Sequence, residues 1–135
     1  KSGTRQMVDV LDYAERLKTK GFNFMNGPGY DPVSVTGQVA SGANIVCFTT
    51  GRGSCFGFKP SPSIKIASNT NMFNKLKDDM DINAGTIMDN EKSLEQVGGE
   101  IFAKIISIAS GEKSKSEING YGDDEFNPWI INPTI

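Results

Sequence analysis

Histidine is absent from the 135 residues. A Ser-His-Asp triad, an imidazole general base and a His-ligated metal are therefore excluded on this chain. No apolar run approaches the roughly 20 residues that a membrane-spanning helix needs, so a membrane partner is not expected. Lys1–Thr4 lacks the charged-then-apolar pattern of a signal peptide. Two cysteines, Cys47 and Cys55, are too few for a disulfide framework, which points to a reducing, cytoplasmic compartment. Charge of one sign is lacking as well: 14 Lys and Arg oppose 16 Asp and Glu, for a net charge of −2. With no basic stripe, nucleic acid and anionic membrane surfaces are poor partners. What the chain does have is 37% hydrophobic residues, enough for the core of one domain of ordinary size. It opens on Lys1 where a complete protein carries Met, and so reads as a piece of a longer polypeptide.

Apolar spacing predicts the elements. Met7, Val10, Leu11, Ala14 and Leu17 fall on one helical stripe from about Arg5 to Lys18, with Thr4 as N-cap and Gly21 beyond its end. Phe22–Met25 reads as a strand, followed by the turn residues Asn26–Gly29. Asp31 then Pro32 opens a helix to about Ser41, with Asp31 as the capping acceptor. Its residues have weak helical propensity, so tertiary packing must hold it. Ile45–Thr49 is a continuous β-branched and apolar run, as in a strand buried on both faces, and Cys47 within it reads as core. A second such strand is Ile64–Ala67, a short helix follows over Asn71–Lys77, and Met80–Asn83 forms a brief strand. Asp78, Asp79 and Asp81 read as a solvated helix end. Ser93 with Gln96 is a capping box opening the strongest helix, which carries Val97, Ile101 and Ile105 and stops at Gly111. Strands alternating with helices predict a single Rossmann-like α/β domain over residues 1–135, a mostly parallel sheet flanked by helices. Residues 112–135 form a tail whose Phe126, Pro128, Trp129, Ile130 and Ile131 dock on the body.

Ligands of open α/β sheets bind beyond the carboxyl ends of the strands. Thr50, Gly51, Arg52, Gly53 and Ser54 leave such an end. Glycines let backbone N–H groups approach a ligand, hydroxyls donate, and a guanidinium grips a carboxylate or phosphate with two parallel bonds. The competing reading is a glycine-rich turn whose Arg52 pairs with a surface carboxylate. The glycine spacing matches neither a P-loop nor a dinucleotide fingerprint. Lys65, on the next strand, alternates away from Ile64 and Ile66. It is either an electrostatic partner or base for a substrate, or a lysine on the solvated face of an edge strand. Asn69 and Thr70 follow that strand and suit either ligand contact or capping of the next helix. Tyr30 and Asp31 lie at another strand end, where capping accounts for Asp31. One loop thiol, Cys55, without histidine argues against a metal site on this chain.

Three strings carry a resemblance: Pro28 through Gly37, Phe48 through Ser54, and Pro62 through Asn69. With Asp81–Gly85 and Ala109–Ser114, they make the chain from about Phe22 onward resemble the C-terminal portion of the altronate/galactarate dehydratase family. That resemblance implies β-elimination of water from a six-carbon sugar acid to a 2-keto-3-deoxy acid, hence a hydro-lyase. It also implies dependence on iron(II) or another divalent metal in the intact enzyme, with none bound tightly by this fragment. The metal ligands and general base would come from N-terminal domains of the same polypeptide. Arg52 and Lys65 are the expected catalytic groups. Thr50, Gly51, Gly53, Ser54, Asn69 and Thr70 are the expected substrate contacts. Ala84 departs from the pattern, since some members carry cysteine there. A sulfolactate sulfo-lyase relative and a non-catalytic anion-binding module are the alternatives, and a homo-oligomer stays open.

Overall fold

A computed structural model describes residues 3–129. Their contacts divide into two compact units, one running to Asn44 and resuming at Asp124, the other Ile45–Asp123. Among the described residues every strand pairing is parallel, and helices follow the strands Phe22–Met25, Ser63–Ala67 and Ile82–Asn83, so the mixed α/β class holds. Met7–Leu11 nevertheless runs to Phe22–Met25, and Val46–Thr50 to Ser63–Ala67, without an intervening helix. The strands gather in two small sheets, of two and three strands, in place of one larger layer.

In the first unit, Met7–Leu11 is a strand (β1) paired with Phe22–Met25 (β2). The helix expected from Arg5 to Lys18 does not form. β-Branched Val8 and Val10 suit an extended backbone, and Ala14 takes a φ of 60°, outside any right-handed helix. Pairing with β2 thus overrides a weak periodicity. Asp31–Ser41 (α1) forms as expected, but its N-cap is Tyr30, which makes no side-chain capping bond. Asp31 lies inside the first turn, where its charge meets the helix dipole. Packing holds this helix: a Cβ on Gly37 would fall 2.3 Å from the Tyr13 ring, and the Tyr13 hydroxyl donates to the Val33 carbonyl at 2.8 Å. Trp129 meets Tyr13 edge-on with centroids 5.3 Å apart, and the Asn127 N–H donates to Thr36 Oγ1 at 3.0 Å. These contacts seat that part of the tail. Ile130 and Ile131 lie outside the described residues.

In the second unit, Val46–Thr50 (β3), Ser63–Ala67 (β4) and Ile82–Asn83 (β5) form a parallel sheet in the order β3-β4-β5. The central strand is β4, buried throughout. β3 is an edge strand with Cys47 and Thr49 exposed, which corrects the doubly buried strand and core cysteine expected there. Its apolar run covers only the side that meets its neighbours. Leu94–Ala109 (α3) opens with the expected Ser93–Gln96 capping box. Its Ile101, Ile105 and Ile108 cover Ile64, Ile66 and Ile82 on one face of the sheet; Val97 of the same helix is buried as well. Around Ala67 on the other face lie Met72 and Phe73 of Thr70–Lys75 (α2), with Leu76 and Met80. Lys115–Ile118 (α4) lies against β4, where the Ser116 hydroxyl donates to the Ser63 carbonyl at 2.9 Å.

Candidate functional site at the strand ends

The carboxyl ends of β3, β4 and β5 lie side by side, so the loops leaving Thr50, Ala67 and Asn83 meet. Asn69 joins the first two: its amide donates to the Gly51 carbonyl at 2.9 Å while its Oδ1 caps α2 by accepting from Met72 N–H at 2.8 Å. The capping and binding readings of Asn69 are thus compatible, because one end of the amide serves the helix and the other the loop. The Ser68 N–H donates to the Thr50 carbonyl, and the Gly53 N–H donates to Thr50 Oγ1. Gly53 has a φ of 100°, and a Cβ there would meet Leu76 at 2.2 Å, so glycine is required for the turn. Beyond it, the Ser54 hydroxyl accepts from Phe56 N–H. Phe56 stacks between Phe48 and Phe58 and anchors the far end of the loop in the core.

Arg52 stands on this anchored loop, exposed, and its guanidinium makes no ion pair or hydrogen bond among the described residues. Four of the expected contact residues, Thr50, Gly51, Gly53 and Asn69, are tied together beside it, and Ser54 follows on the same loop. Thr70 turns toward the third strand end: its hydroxyl donates to the Asp89 carboxylate and receives the Asn83 amide at 2.9 Å. Asn83 and Asp89 were not singled out from the sequence. Asn83 ends β5 and Asp89 follows the turn that begins there, a turn that includes Gly85, whose Cβ would fall 2.2 Å from the Thr70 nitrogen.

Lys65 lies elsewhere. It is 0% exposed on β4, its Nζ has no hydrogen-bond partner, and it sits 5.2 Å from the centroid of the Tyr121 ring. The solvated-edge reading of this lysine is therefore wrong, since β4 is central and α4 and Tyr121 cover that face. Burial pulls the Lys65 ammonium below the ordinary lysine range, against the raising effect of Asp79 and Asp81. Of the acidic cluster, Asp78 is exposed as expected, but Asp79 and Asp81 are not a solvated helix end. Asp81 accepts the backbone N–H of both Lys65 and Lys115, joining β4 to α4, and Asp79 Oδ1 is buried without a partner.

A glycine-lined strand end carrying an unpaired guanidinium suits a carboxylate-bearing ligand. Residues 1–134 match the family model for the C-terminal region of D-galactarate/altronate dehydratases. The chain belongs to that family. It is 43% identical over 113 residues to galactarate dehydratase (L-threo-forming) of Escherichia coli strain K12, covering 84% of this chain and 22% of that one. Altronate dehydratase of Bacillus subtilis strain 168 is 37% identical over 121 residues, covering 90% and 24%. More distant is the (2R)-sulfolactate sulfo-lyase subunit beta of Chromohalobacter salexigens, 29% identical over 122 residues, covering 90% and 31%. The chain thus spans about a quarter of the length of its dehydratase relatives.

Proposed function

We propose that the chain serves a longer sugar-acid dehydratase, a hydro-lyase acting on galactarate or altronate, as the part that grips the substrate carboxylate. The observation that carries this reading is the free Arg52 guanidinium at three converging strand ends. Removing water requires loss of the proton α to a carboxylate, stabilisation of the dianion that results, and departure of the β-hydroxyl. A bidentate guanidinium binds the carboxylate and strengthens its hold as negative charge accumulates there. Thr50, Gly51, Gly53, Ser54, Asn69 and Thr70 line the same surface for the polyol. Lys65, enclosed beneath Tyr121, is not a group that touches substrate. Among the described residues no three His, Cys, Asp or Glu side chains converge. They do not fit a metal by themselves. Iron(II), or another divalent cation, is proposed for the intact enzyme with ligands from other domains of the polypeptide. A cytoplasmic location, in keeping with two unpaired thiols, and kinship of the second unit's sheet to Rossmann-like folds belong to the same proposal.

The test is Arg52→Ala in the full-length enzyme, assayed with galactarate, altronate and sulfolactate. Loss of a charge-assisted pair in a closed site costs about 2–4 kcal/mol, or roughly 30- to 1000-fold in kcat/KM. Arg52→Lys should recover little, since a point charge lacks the fork geometry. Unchanged kinetics in a folded Arg52→Ala enzyme would leave Arg52 an ordinary surface residue. Turnover of sulfolactate alone would move the chain to the sulfo-lyase reading.

A further inference from the structure

The first unit has strand ends of its own. Asp12 and Asn26 are the first residues past β1 and β2, and with Tyr13 and Trp129 they line a cavity of about 290 Å³. That volume is at the small end for ligand pockets, and the carboxyl ends of parallel strands are where such pockets form. The Asn26 N–H donates to the Leu11 carbonyl at 2.8 Å, which sets Asn26 beside Asp12. The rings of Tyr13 and Trp129 stand at 82° with centroids 5.3 Å apart, two aromatic walls meeting in a corner. The corner is fixed from behind, because the Tyr13 hydroxyl donates to the Val33 carbonyl and accepts the backbone N–H of Trp129.

Charge selects the occupant. Asp12 is the one ionised side chain in the wall, and its carboxylate makes no ion pair or hydrogen bond among the described residues. Glu15 accepts the Asp12 backbone N–H and holds Lys18, so that lysine is already engaged. More charge of the same sign stands at the amino end of α1, where Asp31 lies two residues before Val33. Burial, then the charges of Asp124 and Asp31, push the Glu125 carboxyl above its ordinary range. None of these three carboxylates forms an ion pair among the described residues. An anionic ligand is repelled by this setting, and a neutral polyol leaves its charge unanswered. Aromatic faces beside a carboxylate attract an organic cation. The wall is mostly ring carbon with few acceptors, so methyl groups suit it better than N–H groups, which would go unpaired.

We propose that this corner binds a methylated ammonium group, with its methyls against Tyr13 and Trp129 and its charge facing Asp12. The proposal stands apart from the Arg52 reading, which concerns ligands of the opposite sign.

A proton–nitrogen NMR titration of the 135-residue chain with choline should shift the Trp129 indole and Asn26 amide resonances together. Half-saturation is expected at roughly 1–10 mM, as befits so small a ligand. The uncharged isostere of choline, with carbon in place of nitrogen, should bind about tenfold more weakly. Asp12→Asn should weaken choline by a similar factor. Asp12 is exposed, so the variant should keep the wild-type urea midpoint, which separates lost binding from lost folding. No saturable shift with choline would overturn the proposal. So would an isostere that binds as tightly, which would make the corner merely apolar, or an Asp12→Asn chain that binds choline unchanged. Tighter binding of galactitol than of choline would overturn it in favour of a polyol pocket.

Discussion

Lys65 shows how burial turns one residue into a pH-dependent stability effect. Asp79, Asp81, Cys55, Lys115 and Tyr121 are the titratable groups around it, and desolvation dominates, holding its folded pKa below the ordinary value. Between that depressed value and the unfolded value near 10.4, the unfolded chain binds more protons than the folded one. The contribution of Lys65 to stability therefore rises with pH through this interval. The urea midpoint of the wild type relative to Lys65→Met should shift in favour of the wild type as pH climbs from neutral to about 10. A difference that stays flat would mean that burial does not hold the Lys65 ammonium below its unfolded range. Gly85 gives a steric counterpart. A methyl group 2.2 Å from the Thr70 nitrogen and 2.5 Å from the Asn69 carbonyl carbon has backbone on its far side, which cannot swing away. Gly85→Ala should cost about 1–3 kcal/mol in denaturant unfolding, the range for overpacking. Of the candidate site, Arg52 with its flanking glycines and Asn69 were legible as strand-end positions because each closely follows an apolar run, the first after β3 and the second after β4. Asp89 and Asn83 were not, because only folding brings them to Thr70.

Elements were legible where a local signal and the tertiary outcome agree. The Ser93–Gln96 box fixes the start of α3 by pairing two backbone donors with two side chains, and no distant contact is needed to read it. Ser93→Ala should accordingly lower stability by about 1 kcal/mol, seen as a lower thermal midpoint of the helical circular dichroism signal. β1 is the opposite case. Its five residues satisfy a helical stripe and a strand equally well, and the decision is made by Phe22–Met25, eleven or more residues further along the chain. β3 was placed correctly, but its position in the sheet was not. A continuous apolar run states what a strand can bury, while strand order, a non-local property, decides what it does bury.

At the scale of the molecule, the chain folds as two compact units, and the single tryptophan belongs to one of them. Trp129 lies edge-on against Tyr13, and the N–H of Trp129 donates to the Tyr13 hydroxyl at 3.2 Å. The longest helix, α3, belongs to the other unit. Optical signals therefore divide as the contacts do: indole emission reports on the neighbourhood of Tyr13, and ellipticity at 222 nm is weighted toward α3. In a urea titration followed at both wavelengths, the two curves are expected to separate, with the emission change at the lower midpoint because its two-stranded sheet has the smaller core. Superimposed curves would show that the units lose structure as one. A protein with one indole thus carries a built-in optical reporter for half of its fold, and nothing has to be attached to read it.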